Sequence, residues 1–275
     1  MPELSRPDGA VIHFEVRGED GPTVVLASYW SWSPGVYDEL LDDLAADHRV
    51  VTYHLRGTGD SSSQGPYDME VDTADLEAVV ETAGGPAVLI ATADSSNRAV
   101  RLGARRAELV AAVISLGTPP FARAQFKDKE AMLASDTVVN AFVDVFEHNY
   151  RGGMRNLMEA TNPQMSDDEL RERVARQVEF CPQDPTVARM KAWVEDDPRA
   201  ESEALAERLW IFAARGVAGP WMPPFEEMMR LTRETMPGAN LITIDPGPVS
   251  RPHETADAIR RVSAALRGSA PATRK

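Results

Sequence analysis

One cysteine, Cys181, is the whole thiol content of this 275-residue chain. A disulfide framework and a thiolate metal cluster are therefore both excluded. Positive charge is also scarce: 29 Lys and Arg face 43 Asp and Glu, a net charge of −14. Nucleic acid and anionic membrane would be repelled, so neither is expected as a partner, and the excess acid favours solubility. No apolar run approaches the ~20 residues that span a bilayer. The opening "MPELSRPDGA" lacks the apolar segment of a signal peptide, which points to a reducing cytoplasm. No metal motif and no phosphate-cradling loop stands out, so no cofactor is expected. Length alone allows one large α/β domain or two small ones.

What the chain does have is alternation. "AVIHFEVR" (10–17) reads as a half-buried strand and "TVVLAS" (23–28) as a fully buried one. "VYDELLDDLAADH" places Leu40, Leu41 and Leu44 on one helical face, and "HRVVTYHL" (48–55) returns to strand. "DTADLEAVVETAG" is a helix with Leu76, Val79 and Val80 inward and Gly84 near its stop. "AVLIATA" (87–93), a helix from about Ser96, and "LVAAVISLG" (109–117) continue the series. Repeated β-α units imply a mostly parallel sheet flanked by helices on both faces. From Pro119 to Glu207 strand signals stop. "TVVNAFVDVFEHNY" has helical spacing, Ser166 and Glu169 form a capping-box pair, and Asp184 with Pro185 marks another helix start. The β-α pattern resumes with "RLWIFAA" (208–214), "PFEEMMRLTRETM", "NLITID" (240–245) and a last helix near Pro252. A single α/β domain interrupted by a helical insertion accounts for this order, with boundaries at 1–120, 121–206 and 207–275.

Four segments, taken together, are similar to the α/β-hydrolase superfamily over most of the chain outside the insertion. "DGAVIHFEVRGEDGPTVVL" resembles its opening hairpin and first buried strand. "VVTYHLRGTGDSS" resembles the D-x-R-G-x-G-x-S segment, keeping Arg56, Gly57, Gly59 and Ser61. "DLEAVVETAGGPAVLIATADSSNRAV" resembles the helix, strand and nucleophile elbow, and "RPHETADAIRRVSAAL" the closing helix. The resemblance implies an α/β-hydrolase fold whose insertion is a helical cap. Fold alone does not assign a reaction.

The elbow pattern, G-x-S-x-G, wants small residues two before and two after the nucleophile. Of the polar residues available, Asp94 has small flanks in Thr92 and Ser96, Ser95 faces the larger Asn97, and Ser96 faces Asp94 and Arg98. The register favours Asp94, which would resemble the carboxylate nucleophile of haloalkane dehalogenases and epoxide hydrolases. Such an enzyme needs a histidine about seven residues before Pro252, and that position holds Asp245 in "DPGPVSR". The acid partner is missing after both candidate strands, in "TPPFAR" and "RGVAGPW". The triad is therefore degenerate. The usual His-Gly of the oxyanion loop is Ser28-Tyr29, and the usual Asp before Arg-Gly is His54, so Ser28 and His54 read as a rebuilt polar pair or a structural one.

These residues leave three readings open. In the first, an atypical enzyme acts on a small, largely apolar organic substrate beneath the cap. Asp94 is its nucleophile or general base, assisted by His54 or by Asp245 in a carboxylate pair. Its reaction is hydrolytic (ester, epoxide or carbon-halide) or a lyase or cyclase step. Ser28, Tyr29, Trp30, Ser95 and Trp221 would line the substrate site, since Tyr29, Trp30, Trp32 and Trp221 cluster in loops at the strands' C-terminal ends. In the second reading the chain keeps the pocket as a non-catalytic ligand-binding protein. In the third, its acidic surface engages another protein. A homodimer is compatible with all three. Arg215 and Arg251 stand in loops where they could neutralise Asp94 and Asp245, and a turn role for Asp245 before Pro246 and Gly247 is the simpler account of it.

Overall fold

The computed structural model describes residues 2–30, 32–120, 129–161, 165–215 and 224–269. Eight strands form one sheet: β1 (Glu3–Ser5), β2 (Val11–Arg17), β3 (Thr23–Leu26), β4 (Arg49–Tyr53), β5 (Ala87–Ala91), β6 (Val110–Gly117), β7 (Leu209–Ala213) and β8 (Asn240–Thr243). Their order is β1-β2-β4-β3-β5-β6-β7-β8. β1 and β2 are antiparallel to their neighbours, and every pairing from β4 to β8 is parallel. This is the α/β-hydrolase fold. β3 and β5 are buried at every residue, which is why "TVVL" and "AVLIA" are apolar without alternation: helices cover both of their faces.

Period-two side-chain direction divides the sheet between two cores. Val25, Val51, Leu89, Val113 and Ile211 pack on one face against α2 (Met69–Ala83) and α3 (Asp94–Arg105), through Leu76, Val79, Val80, Val100 and Leu102. Val24, Val50, Val88, Ile90, Ile114 and Phe212 pack on the other against α1 (Asp38–Leu44) and α10 (Pro252–Ser269), through Leu40, Leu41, Leu44, Ile259 and Val262. α9 (Phe225–Thr235) completes the first layer with Met228 and Met229. α2 is started by Asp68, whose carboxylate accepts the Val71 N–H at 2.8 Å, and stopped by Gly84 at φ 81°.

Among the described residues between β6 and β7 run the α-helices α4 (Lys129–His148), α5 (Tyr150–Thr161), α6 (Asp167–Phe180), α7 (Gln183–Glu195) and α8 (Arg199–Leu205). They bury a third core with Phe146, Met154, Met158 and Met190, into which Trp30 and Trp32 reach from the segment after β3. The Gly59 N–H donates to the Phe180 carbonyl at 2.8 Å, tying this layer to the segment after β4. Among the described residues no helix is long and apolar enough to cross a membrane.

Two helix starts differ from the sequence expectation. α3 begins at Asp94 rather than about Ser96. α7 begins after Pro182, extended at φ −61° and ψ 158°, so Asp184 lies in the first turn rather than at the cap, where its charge suits the helix dipole. The capping box of α6 forms as the sequence indicates: Ser166 N–H donates to Glu169 at 2.9 Å and the Ser166 hydroxyl accepts the Glu169 N–H. Replacing Ser166 with Ala should lower stability by about 1 kcal/mol, and Ser166→Asp should be nearly neutral. Urea denaturation of the two variants checks both.

Candidate functional site

β5 delivers the chain to a sharp turn. Ala91 ends the strand, Thr92 follows, and Ala93 takes φ 48° and ψ −129° before α3 begins. Among non-glycine residues this backbone region is strained, typically by about 1–3 kcal/mol, and it is found where surrounding bonds over-determine the turn. They do so here. The Ser95 hydroxyl accepts the Thr92 N–H at 2.9 Å and donates to the Thr92 carbonyl at 2.7 Å. The Ser95 N–H bonds that same carbonyl at 3.1 Å, and the Ser96 and Ser115 hydroxyls bond each other at 2.7 Å. Ser95 is thus fully buried turn scaffolding rather than a ligand contact.

The apex of the elbow is Ala93, one residue before the expected Asp94. The small flanks are then Ala91 and Ser95, a spacing as regular as Thr92 and Ser96. Considering only reactive side chains for the apex hides this register, although the pair Ala91/Ser95 is visible in the sequence. A methyl group occupies the position from which this fold presents its nucleophile.

Asp94, the first residue of α3, is completely buried. One carboxylate oxygen accepts the Trp30 N–H at 3.2 Å, and the other lies 2.6 Å from Nη1 of Arg98, one turn along the helix. Arg98 is itself buried. It donates from Nη2 to the Ser28 carbonyl at 2.6 Å and from Nη1 to Asp72 at 3.2 Å. Asp72 receives two more bonds from Arg189 of α7, at 2.6 and 2.9 Å. Two carboxylates and two guanidiniums thus form a closed group of zero net charge beneath the elbow. Burial raises the Asp94 pKa, opposed by Arg98 and the Trp30 N–H. Burial also works against ionised Asp72, but Arg189 and Arg98 overcome it and hold its pKa below the usual value. Arg98 is disfavoured by burial and restored by Asp94 and Asp72, leaving its pKa raised.

The remaining expected residues are dispersed. Ser28 and His54 do not pair: the Ser28 hydroxyl donates to the Tyr53 carbonyl, while His54 Nδ1 accepts the Asp60 N–H at 3.1 Å. The His54 ring packs edge-on against Phe180, centroids 4.8 Å apart, and burial lowers its pKa against the pull of Asp60. Asp245 is largely exposed and 3.9 Å from Arg215, so it forms no carboxylate pair with Asp94. Trp30 is buried against Phe146 and Phe142 in the helical insertion, centroids 5.5 and 6.4 Å away. Trp221 lies outside the described residues. The other histidines bond elsewhere: His13 to Glu3, His48 to Asp47 and Ser263, His148 to Asp144, and His253 to Asp43 of α1.

Accessible surface persists in the middle of the sheet. Tyr29, Thr92, Ala93 and Thr118, at the C-terminal ends of β3, β5 and β6, are each only partly buried. Burial pushes the Tyr37 pKa up to about 12, against the neighbouring Thr92 and Tyr29 side chains. Burial also drives the Tyr29 pKa well above its ordinary value. Both remain neutral phenols. The Asp94 backbone N–H finds no partner among the described residues. A crevice of about 340 Å³ lies between α4 and α7, lined by Asn140, Asp144, Glu147, Lys191 and their neighbours, and shares no lining residue with the elbow.

No family model matches the chain, and no curated protein matches it in sequence. Solved structures do match it in shape. The bromoperoxidase from Bacillus anthracis superposes with a TM-score of 0.73 at 18% identity, covering 95% of this chain and 96% of that one. The esterase EaEST from Exiguobacterium antarcticum gives 0.76 at 15% identity, covering 95% and 98%. The enol-lactonase from Burkholderia xenovorans LB400 gives 0.65 at 19% identity, covering 98% and 100%. All three are enzymes with the α/β-hydrolase fold, and at these identities the likeness concerns the fold.

The charge group is open to a direct test. Arg98→Met leaves Asp94 and Asp72 sharing one cation, and should cost about 3–5 kcal/mol in chemical denaturation. Adding Asp94→Asn leaves Asp72 and Arg189 balanced and should recover most of that loss; an equally unstable double variant would refute charge compensation as the cause. Separately, Ala93→Gly removes the strain at the apex and should raise stability by about 1 kcal/mol, read in the same experiment.

Proposed function

We propose that this chain binds a small, largely apolar organic molecule at the elbow, over the C-terminal ends of the strands and beneath a helical cap formed by α4 to α8, without covalent chemistry at the elbow. The observation that carries this reading is Ala93 at the strained apex. Acyl or alkyl transfer in this fold needs a nucleophile facing the ligand, a base to activate it and donors for the developing oxyanion. Here the apex offers a methyl group. No histidine side chain bonds Asp94, and the Trp30 N–H, at the oxyanion-loop position, is already engaged by the Asp94 carboxylate. Open α/β sheets bind ligands at the C-terminal ends of their strands, where Tyr29, Thr92, Ala93 and Thr118 keep accessible surface.

A second reading is an atypical hydrolase-like enzyme in which Asp94 acts as nucleophile or general base. Two observations favour it: burial moves the Asp94 pKa upward, in the direction that suits proton transfer at neutral pH, and the structural neighbours include esterases and an enol-lactonase. It requires Arg98 to release the carboxylate and the side chain to turn toward the ligand.

One set of measurements separates the two. An aromatic or aliphatic ligand at 100 times its Kd should stabilise the protein by about 2.7 kcal/mol, visible as a rise in Tm. A panel of small esters, epoxides and haloalkanes should show no turnover above buffer. The introduced thiol of Ala93→Cys should react with a maleimide, because Cys181 is buried and its pKa is pushed up to about 12, leaving no competing thiolate. The labelled protein should lose the ligand-induced shift. Turnover abolished by Asp94→Asn at unchanged Tm would instead establish the enzyme.

A further inference from the structure

We propose that His54 is a proton-sensitive pin between the sheet domain and the helical insertion. Neutral, it holds the end of α6 against the segment after β4; protonated, it releases it. The inference concerns how the insertion docks and stands apart from any ligand at the elbow.

Two backbone contacts meet at this imidazole. Nδ1 accepts the Asp60 N–H at 3.1 Å. The N–H of the preceding residue, Gly59, donates at 2.8 Å to the carbonyl of Phe180, where α6 ends. The His54 ring also packs edge-on against the Phe180 ring, centroids 4.8 Å apart. There is little slack between them. Gly59 holds φ 50°, and a Cβ added there would stand 2.5 Å from His54 Nδ1 and 2.6 Å from the Phe180 ring. The His54 backbone is fixed as well, its N–H donating to the His13 carbonyl of β2 at 2.9 Å. One side chain thus sets the position of the Gly59–Asp60 peptide that carries α6.

An imidazole nitrogen that accepts an N–H carries no proton, so this geometry requires the neutral ring with its hydrogen on Nε2. Protonation sets a second donor at Nδ1 against the Asp60 N–H, and the close packing around Gly59 gives the ring no room to swing aside. The Asp60 peptide must then shift, and the Gly59 N–H leaves the Phe180 carbonyl with it. The charges facing the ring do not reverse this. On its own segment, an Asp60 carboxylate oxygen lies 3.7 Å from Nδ1 but is more than half exposed, so its attraction is screened. From β2, Glu15 favours a proton on His54, while His13, 3.3 Å from Glu3, opposes one. From α6 comes the Phe180 ring; Glu172 of that helix lies 3.9 Å from Arg176, and Glu179 is exposed. Burial outweighs the two carboxylates and leaves the His54 pKa below its ordinary 6.5. The docked state therefore binds this proton more weakly than the undocked one. Docking is strongest above 6.5 and weakens as pH falls from there through the docked-state value.

Amide hydrogen exchange followed by NMR tests this directly. The protection factor of the Gly59 N–H, which already corrects for the intrinsic pH dependence of exchange, should fall several-fold between about pH 7.5 and about pH 5.5. Protonation of a freed histidine sets a ceiling of about tenfold. The β5 amides, on a strand paired on both sides, should lose less. His54→Gln keeps an acceptor that does not titrate and should abolish the fall. In the wild type, the imidazole nitrogen resonances should show Nδ1 unprotonated at neutral pH and titrate below 6.5, with the midpoint of the Gly59 loss. That second measurement decides the matter even if the Gln variant fails to dock. By reciprocity, Phe180→Ala should move the His54 midpoint back toward 6.5. A fall that persists in His54→Gln would place the effect on another group, such as His13, and overturn the proposal. So would Gly59 protection that stays flat or rises toward acid pH, or a His54 midpoint at or above 6.5.

Discussion

Four buried charges set the terms for everything around the elbow. An isolated ion moved from water into a protein interior carries a penalty of several kcal/mol even after relaxation. Neither Asp94 nor Asp72 could stay ionised where it lies without a guanidinium in contact. Arg98 and Arg189 supply that contact, and in doing so they join parts far apart in sequence. Asp94 and Arg98 belong to α3, Asp72 to α2 and Arg189 to α7, while the Trp30 N–H and Ser28 carbonyl bring in the segment after β3. The helical insertion is thus fastened to the sheet domain through an ionic contact whose members cannot be altered singly without stranding a charge.

This arrangement competes with catalysis. A nucleophilic carboxylate must face the ligand and approach carbon, whereas Asp94 faces inward and uses both oxygens on Arg98 and the Trp30 N–H. The same hydrogen bond engages the backbone donor that an oxyanion would need. The phenols of Tyr29 and Tyr37 near the elbow lack the basicity to activate water, because burial keeps both protonated.

The sheet and its flanking helices were legible because they are written in local periodicities. Strand runs such as "TVVL" and "AVLIA" and the helical triplets Leu40, Leu41, Leu44 and Leu76, Val79, Val80 all occupy the cores that their spacing indicates. The elbow was legible as a turn but not in its register, since Thr92/Ser96 and Ala91/Ser95 satisfy the small-flank rule equally. Only the backbone angle of Ala93 decides between them. The i,i+4 spacing of Asp94 and Arg98 lies in plain sight within "DSSNR", yet the contacts of Asp72 with Arg98 and Arg189 span 26 and 117 residues and leave no local trace. The surroundings of His54 left no local trace: its family position suggests a polar neighbour in Ser28, whereas the fold supplies Asp60 and Phe180.

A serine placed at the apex would not by itself complete a catalytic pair. The Ala93 backbone already holds the required strained conformation, so Ala93→Ser would place a hydroxyl at the partly exposed apex with little rearrangement. A serine hydroxyl at neutral pH needs a base within hydrogen-bond reach, and the nearest candidates fail for different reasons. Asp94 is held inward by Arg98, and His54 is packed on Phe180 with Nδ1 engaged by Asp60. His253 bonds Asp43 of α1, in the helix layer on the opposite face of the sheet from α3. Asp245 stands in an exposed loop beside Arg215. The strained turn itself stands because Ser95 and Ser96 close it with hydrogen bonds that do not depend on the side chain at the apex.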